Sequence, residues 1–339
     1  MTDLVVIAGS EEALYALRSK DDGRTWQPAE TLIPDLDVAD VAAAPDGAVY
    51  VGTRGRGVLR SRDGLRSWEE VETPGALQKV RSFYISGDRF LAGNESRPDP
   101  VGIFEWEDGE QWRQLGDLST CSGASEWTYP VATVGVHVRH VSRDPHQQDR
   151  LYAAVQVGGV AISPDGGKSW YDRRNLDLDV HMVEGDPRNP GVVYAGTGGG
   201  GLYKSTDYGD NWDCVSEPCG KFVVQFALDP ETPERIFLGT ARGGVRSWDT
   251  DPDGAHGEMW RSDDAGGTWQ KLGDGLPDLL KSRPGSVHID RQEPRHVFFA
   301  GDLPRGGPDA GVFHSPDSGE SWRKLADLQK VVALCAVHI

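Results

Sequence analysis

The 339-residue sequence contains few cysteines, few methionines and few lysines. Its four cysteines are too few for a disulfide framework in a chain of this length, so we expect free thiols. Only Cys214 and Cys219 lie close together in the sequence, and two cysteines alone are a weak signal for a disulfide or a metal site.

The sequence also lacks long apolar runs and an excess of basic residues. No run approaches the roughly 20 residues that a membrane-spanning helix needs. Residues 1–9 have neither a basic stretch nor a long apolar core, so we expect no signal peptide and a cytoplasmic location. The net charge of −18, with only 9 lysines among 35 basic residues, argues against nucleic acid and anionic membrane as partners.

What the sequence does contain is a short cassette repeated seven times, each copy ending in tryptophan. Its common form is Ser-x-Asp-x-Gly-x-(Thr/Ser/Asn)-Trp, and the first residue always lies seven positions before the tryptophan. The third copy is degenerate, with Glu105 and Glu107 in place of serine and aspartate. The seven cassettes begin at Ser19, Ser61, Glu105, Ser163, Ser205, Ser262 and Ser315 and end at Trp26, Trp68, Trp112, Trp170, Trp212, Trp269 and Trp322.

The spacing of the cassettes predicts a β-propeller. Successive tryptophans are 42, 44, 58, 42, 57 and 53 residues apart, which suits blades of four short strands with insertions. The residues after Trp322 and those up to Trp26 together make one more blade. We therefore predict that residues 1–339 form a single all-β domain, a seven-bladed propeller whose C-terminal strand completes the N-terminal blade.

The cassettes resemble BNR (Asp-box) repeats, and the unit 192–212 resembles those of the sortilin, photosystem-assembly and xyloglucanase-type propellers. This resemblance implies the fold and says little about activity, because such propellers carry many functions. Sialidases of the Asp-box type have an Arg-Ile-Pro segment that this sequence lacks, and xyloglucanase-type enzymes join two such propellers.

The cassettes themselves are expected to be structural. Aspartate and serine side chains can bond the amides of their own turn, and seven copies of a catalytic centre would be redundant. Strand order then places the cassette turns at one end of the blades and the long insertions at the other. These insertions, which we predict to surround the functional site, are 94–101, 114–136, 248–259 and 302–311.

Polar residues occupy the first strand of several blades where apolar ones are expected. They are Asp40, Arg81, His137, Arg139, His140, His181, Gln225 and His288. His338 also ends such a strand, but its position predicts the cassette end instead.

Histidines that converge from separate strands can bind a divalent metal, and imidazole suits zinc, iron, copper or nickel. The predicted ligands are His137, His140, His181 and His288, and the predicted cofactor is a divalent transition metal such as zinc, iron, copper or manganese. His137 and His140 lie three apart on one strand, so they should point to opposite sides. The alternative is that each histidine is a hydrogen-bonded lining residue. Without metal, Arg81 and Arg139 would offer forked donors to a carboxylate or phosphate.

The leading functional hypothesis is a soluble metal-dependent hydrolase or lyase that acts on a small polar or carbohydrate-like substrate at the mouth of the channel. Its catalytic residues would be His137, His181 and Arg139. The predicted substrate-binding residues are Asp40, Arg81, Trp127, Tyr129 and Gln225. One alternative is a non-catalytic propeller that binds a protein or peptide. Another is a glycoside hydrolase, whose paired carboxylates would come from Asp37, Asp40, Glu95, Asp179 and Asp302.

Overall fold

The computed structural model describes residues 2–87, 89–96, 100–107, 109, 111–131, 134–232, 234–248, 250–302 and 309–339. Parts of all four insertions fall outside these ranges. The described strands form seven four-stranded sheets, and the fold is the predicted seven-bladed β-propeller. By internal packing the chain divides into two compact units, one of Met1–Val41 with Ser216–Ile339 and one of Ala42–Val215. The assignment of 1–339 to a single domain stays a prediction.

Blades one, six and seven belong to the first unit. Blade one consists of β1 (Leu4–Ser10), β2 (Ala13–Ser19), β3 (Glu30–Pro34) and β28 (Val331–His338). Blade six consists of β20 (Phe222–Leu228), β21 (Ile236–Ala241), β22 (Glu258–Ser262) and β23 (Gln270–Leu272). Blade seven consists of β24 (Arg283–Ile289), β25 (Val297–Asp302), β26 (Gly311–Ser315) and β27 (Arg323–Ala326).

The first unit confirms the predicted closure of the N-terminal blade. Strand β28 pairs antiparallel with β1, from Leu4 opposite His338 to Gly9 opposite Ala333. Both strands are rich in Val, Ala and Leu and are largely buried, as the innermost strands of a propeller blade must be. The pairing therefore joins the two ends of the sequence in one sheet.

The second unit contains blades three, four and five and most of blade two. Blade two consists of β4 (Val38–Ala43), β5 (Val49–Thr53), β6 (Val58–Ser61) and β7 (Glu69–Val71), with β4 lying across the division. Blade three consists of β8 (Val80–Ser86), β9 (Arg89–Asn94), β10 (Ile103–Glu107) and β11 (Gln111–Gln114). Blade four consists of β12 (His137–Arg143), β13 (Leu151–Gln156), β14 (Gly159–Ser163) and β15 (Tyr171–Arg173), and blade five of β16 (Val180–Gly185), β17 (Val193–Thr197), β18 (Leu202–Ser205) and β19 (Asp213–Cys214).

Helical segments are few and short in the described chain. One α-helix, α1, spans Val245–Trp248, and 3₁₀ turns cover Gly75–Leu77, Leu118–Thr120 and Ala124–Glu126. Among the described residues, no helix has the length and apolar character required to cross a bilayer.

The cassette turns have the structural role that the sequence predicts. In the six serine cassettes the serine hydroxyl donates to the aspartate and accepts the amide four residues on, as Ser205 does with Asp207 (2.8 Å) and Gly209 (2.9 Å). The same aspartate accepts the backbone amide and the side chain of Asn211, at 2.8 and 2.7 Å. Because these bonds favour the charged carboxylate, they lower the pKa of the corresponding Asp21 and Asp63 to about 2.

Several cassette tryptophans pack against the preceding blade. Trp170 of blade four lies in the same apolar cluster as Leu115 and donates to its carbonyl at 3.1 Å. Trp26 of blade one packs edge-on against Phe298 of blade seven, with ring centroids 6.0 Å apart. Each such contact buries a large apolar surface between neighbouring sheets, which holds the blades together.

Candidate functional site

Three of the predicted site residues occupy equivalent positions in consecutive blades of the second unit. Near the start of β8, β12 and β16 the register with the second strand shifts by one residue, which is a β-bulge. The extra residues are Arg81, Arg139 and His181. A bulge interrupts the alternation of side chains and turns its extra side chain away from the regular pattern. The three polar residues thus sit where a strand can accommodate them without breaking its apolar core face.

Arg81 forms a buried ion pair with Glu95, the residue that follows β9. The Arg81 Nε lies 2.9 Å from Glu95 Oε2, and its Nη2 bonds the same oxygen. The other oxygen, Oε1, accepts the amide of Gly135 at 3.3 Å and lies 3.6 Å from Lys79 Nζ. Burial opposes ionisation of Glu95, but Arg81, the Gly135 amide and Lys79 outweigh it and lower its pKa. The carboxylate is therefore charged and fully engaged.

His137, the first residue of β12, is held between two oxygen atoms. Its Nδ1 lies 2.9 Å from the carbonyl oxygen of Gly135 and its Nε2 lies 3.0 Å from Gln156 Oε1. Burial, and next the charge of Arg81, lower the pKa of His137 to about 3, so the ring is neutral near neutral pH. A neutral ring carries one N–H, so His137 donates to one of these two oxygens, which fits a hydrogen-bonded lining residue.

Gln156, the last residue of β13, links this histidine to Arg139 and Asp179. Its Oε1 accepts Arg139 Nη1 at 3.0 Å, and its side chain also contributes to lowering the pKa of Asp179. Burial opposes ionisation of Asp179, but hydrogen bonds and charge from His181, Arg139 and Gln156 lower its pKa overall. The second carboxylate, which is half-buried, is therefore also in its charged form.

Asp179 and His181 lie against the first glycine of the run 198–201. His181 Nε2 is 3.2 Å from Asp179 Oδ1. A Cβ on Gly198 would lie 2.1 Å from Asp179 Oδ2 and 3.1 Å from the His181 ring. The glycine run is a tight turn between β17 and β18, and its first residue leaves the room that this pair occupies.

Part of the insertion 114–136 packs beside these residues. The Tyr129 ring lies 4.9 Å from the His137 ring, edge to face. Trp127 packs against Gly158 and belongs to the apolar core of blades three and four. Thr128 and Val157 exchange backbone hydrogen bonds of 3.1 and 2.6 Å, so this stretch is attached to the turn between β13 and β14. Tyr129 therefore borders the site, whereas Trp127 anchors the loop.

We call the connected group the strand-start cluster. Its members are Arg54, Lys79, Arg81, Glu95, His137, Arg139, Gln156, Asp179 and His181. Arg54 belongs to it because it bridges to Lys79 through the backbone and its charge lowers the pKa of Arg81, after burial. The cluster brings four cations together with two carboxylates, in a chain whose net charge is −18.

The remaining predicted site residues have other surroundings. Gln225 accepts the Val287 amide at 3.1 Å, and half-buried Asp40 accepts the Val41 amide at 2.8 Å.

His288 is the penultimate residue of β24, at the end opposite the strand start, so its predicted placement is wrong. Its Nε2 accepts the Ala336 amide at 3.0 Å, and burial lowers its pKa to about 4. His338 lies at the cassette end as predicted, 2.7 Å from Asp290.

His140 shows why simple alternation fails in β12. The bulge places His137 opposite Gln156 and His140 opposite Ala154, two residues apart on β13. The prediction that these histidines point to opposite sides assumed a regular strand, so it does not apply. Burial lowers the pKa of His140 to about 4, against a hydrogen bond to the Val183 backbone.

The structure does not assemble the predicted histidine ligands into a metal site. Within the described ranges, one group of three ligand side chains converges closely enough to hold an ion: Asp251, Asp253 and His256, in the insertion 248–259. None of these residues was among the predicted ligands. The transition-metal cofactor stays a prediction.

The structure also contains a histidine pair that the sequence does not predict, at the cassette end of blades seven and one. His296 Nδ1 and His314 Nε2 are 2.8 Å apart, and His296 Nε2 lies 3.1 Å from Asp22 Oδ1. Both rings are fully buried. His314 precedes its cassette serine at a position that holds Arg18, Arg60, Lys204 and Arg261 in other blades, so the motif does not predict a buried neutral ring there.

Comparison with curated sequences finds a restricted similarity. No family model matches the chain. A xyloglucanase of Hypocrea jecorina (strain QM6a) is 31% identical over 115 residues, which is 34% of this chain and 13% of the xyloglucanase. The chain therefore spans a small part of the length of that relative.

Solved structures match over nearly the whole chain. A Niastella koreensis GH74 enzyme has a TM-score of 0.63 at 15% identity, covering 96% of this chain and 47% of the enzyme. YCF48 bound to D1 peptide has a TM-score of 0.59 at 17% identity, covering 96% of this chain and 93% of YCF48. YCF48 from Cyanidioschyzon merolae has a TM-score of 0.60 at 18% identity, covering 93% and 95%. At these identities the similarity shows the fold, a β-propeller.

Proposed function

We propose that this chain is a binding propeller that holds a carboxylate-bearing peptide segment at the strand-start cluster. The observation that carries the proposal is the local excess of positive charge. Four cations lie there with Glu95, Asp179 and the neighbouring Asp177, which accepts the Asp179 amide at 3.0 Å, although the chain as a whole has 53 acidic and 35 basic residues. Charge-assisted hydrogen bonds from arginine to carboxylate are among the strongest in proteins, particularly where the donors are partly buried.

The ionisation of the cluster supports binding over acid–base catalysis. A general acid needs a pKa raised toward neutrality, whereas the pKa values of Glu95 and Asp179 are both lowered. A histidine base needs a pKa near neutrality, whereas that of His137 is about 3. Glu95 and Asp179 therefore stay charged and His137 stays neutral, so these three groups are suited to binding and not to proton transfer.

The similarity to YCF48 supports a peptide as the ligand. This chain and YCF48 match over nearly the full length of both, and one of the YCF48 structures contains a bound peptide. The match to the GH74 structure covers less than half of that enzyme.

The proposal can be tested on a microarray of dodecapeptides, each printed with a free and with an amidated C terminus. We expect the bound peptides to be enriched in Asp, Glu or a free terminal carboxylate. The affinity of the best binder is then measured by fluorescence polarisation. Arg139→Gln should weaken it at least about tenfold, because a charge-assisted hydrogen bond to the ligand is lost.

A matched control is Arg62→Gln, which removes the same charge from an exposed position in a cassette turn. This variant should bind like the wild type, and both variants should keep the wild-type melting temperature. Equal affinity of Arg139→Gln and wild type would overturn the proposal. So would an array on which acidic and free-carboxylate peptides are not enriched.

A glycoside hydrolase is the second candidate, favoured by the 31% identity to a xyloglucanase. The carboxylates available to it in the strand-start cluster are Glu95 and Asp179. If the chain releases reducing ends from xyloglucan, Glu95→Gln and Asp179→Asn should each abolish the release. Absence of release across the acidic and neutral pH range would exclude this candidate for xyloglucan.

A further inference from the structure

An open groove lies at the cassette end of blades three and four. Its lining residues are Arg89, Glu105, Trp106, Glu107, Arg143, Gln148 and Asp149. Arg89 begins β9 and Arg143 ends β12, so both lie at the end of the blades away from the strand-start cluster. All of these residues belong to the second compact unit.

The groove coincides with the one cassette that departs from the serine–aspartate pattern. In the other six, the cassette aspartate bonds the amide and side chain of its own turn, as in Asp165 with Ser169 at 2.9 and 2.7 Å. In blade three, Glu107 stands at the aspartate position and bonds Arg113 Nε. Glu105, at the serine position, bonds Arg89 Nε at 2.5 Å through Oε1 and Arg113 Nη2 at 2.8 Å through Oε2. Both carboxylates thus bond arginine side chains.

An indole forms part of the groove wall. Trp106 lies between the two glutamates in sequence and is half-buried, with its ring 5.0 Å from that of Trp112 and tilted by 55°. Trp112 in turn packs edge-on against Phe90 at 5.0 Å. Trp106 is therefore supported from behind by an aromatic stack, while it lines the groove.

Charged groups of both signs line the groove. Arg89 and Arg143 lie there with Glu105, Glu107 and Asp149, and the adjoining Arg113 pairs with both glutamates. The lining offers planar donors and planar acceptors side by side, together with the amide of Gln148. Vicinal hydroxyls pair with such groups, and the apolar face of a sugar ring packs on an indole.

We propose that this groove binds a neutral oligosaccharide, with Trp106 as the stacking platform and Glu105, Glu107 and Gln148 as hydroxyl partners. The site is separate from the strand-start cluster, and the inference does not depend on the function proposed there.

The test is isothermal titration with neutral tetra- to hexasaccharides of the cello-, xylo-, manno-, malto- and xyloglucan series. At least one series should bind, and Trp106→Ala should weaken it by about tenfold or more, because the stacking surface is lost. Gln148→Ala should weaken it less, about threefold, by removing one neutral hydrogen bond. Gln147→Ala, at the exposed neighbouring position outside the groove, should bind like the wild type.

Sugar binding by two further variants tests the proposal. Trp106→Phe retains a ring, so it should keep more affinity than Trp106→Ala, and a melting curve shows whether either variant is folded. Arg139→Gln should leave sugar binding unchanged, which separates this site from the strand-start cluster. The proposal is overturned if no series binds the wild type, or if binding survives both Trp106→Ala and Gln148→Ala.

Discussion

The buried histidines at the cassette end should lower the free energy of unfolding of this propeller in acid. The contribution of one of them, His314, can be measured separately. His314 is fully buried, with Arg323 Nη2 3.4 Å from its Nδ1 and His296 Nδ1 2.8 Å from its Nε2. His296 in turn reaches Asp22. Neutral rings satisfy this chain completely, because Arg323 donates to His314, His314 donates to His296 and His296 donates to Asp22.

The size of the effect follows from the pKa. Burial, followed by the charges of His296 and Arg323, lowers the pKa of His314 from 6.5 to about 3. Since the unfolded chain takes up this proton first, the stabilising contribution is complete above the unfolded pKa and is lost as the pH falls below it. Each pH unit in that range costs about 1.4 kcal/mol, so at about pH 4.5 the loss is roughly 3 kcal/mol.

The perturbation is His314→Gln, which can donate to His296 and accept from Arg323 but does not titrate. The free energy of unfolding is measured by urea titration at about pH 7 and about pH 4.5. We expect the difference between wild type and variant to move by roughly 3 kcal/mol toward the variant at the lower pH. The other buried histidines, including His137 and His288, are present in both proteins and cancel in the difference.

Gln147→Ala, at an exposed position that does not titrate, provides the control and should follow the wild type at both pH values. A difference between wild type and His314→Gln that does not change with pH would refute the argument that burial keeps this ring neutral.

Three other predictions follow from the fold and the cluster. Asp317→Ala removes the acceptor of Ser315 and of the Ser321 amide and hydroxyl, and should cost about 1–2 kcal/mol in a chemical denaturation experiment; no change would contradict the structural role of the cassettes. Gly198→Ala places a Cβ against Asp179 and should lower the melting temperature, together with any peptide affinity, whereas Gly244→Ala, which meets nothing within 4 Å, should not. Deletion of 331–339 removes the partner of β1 and should abolish cooperative thermal unfolding followed by circular dichroism, and a cooperative transition in the truncated chain would contradict the closure.

Much of the fold was predictable because it depends on short sequence motifs and their spacing. The serine and aspartate of a cassette bond atoms within four residues of themselves, so a short motif is enough to specify the turn. The count of cassettes predicts the number of blades, and the partial blades at the two termini predict the pairing of β28 with β1.

The candidate site was predicted only in part, because its geometry depends on a bulge. Arg81, Arg139 and His181 were selected as polar residues in apolar strands, and they do lie in one cluster. The sequence offered no signal for the register shift that makes Arg139 the extra residue of a bulge, nor for Gln156 as the link between His137, Arg139 and Asp179. His288 was misplaced because alignment on the turns does not tell which end of a strand a side chain occupies.

The sequence by itself determined the repeat, the number of blades and the structural role of the cassettes, since these depend on contacts within a turn or between successive strands. Tertiary structure alone decided which charged groups meet. Glu95 comes to Arg81 across the start of a sheet, and Asp22 comes to His296 from 274 positions away. The second pair arises because blades one and seven pack side by side, and the first because a bulge in β8 interrupts the regular strand at Arg81. The energies that hold both pairs depend on burial and distance, which a linear pattern does not contain.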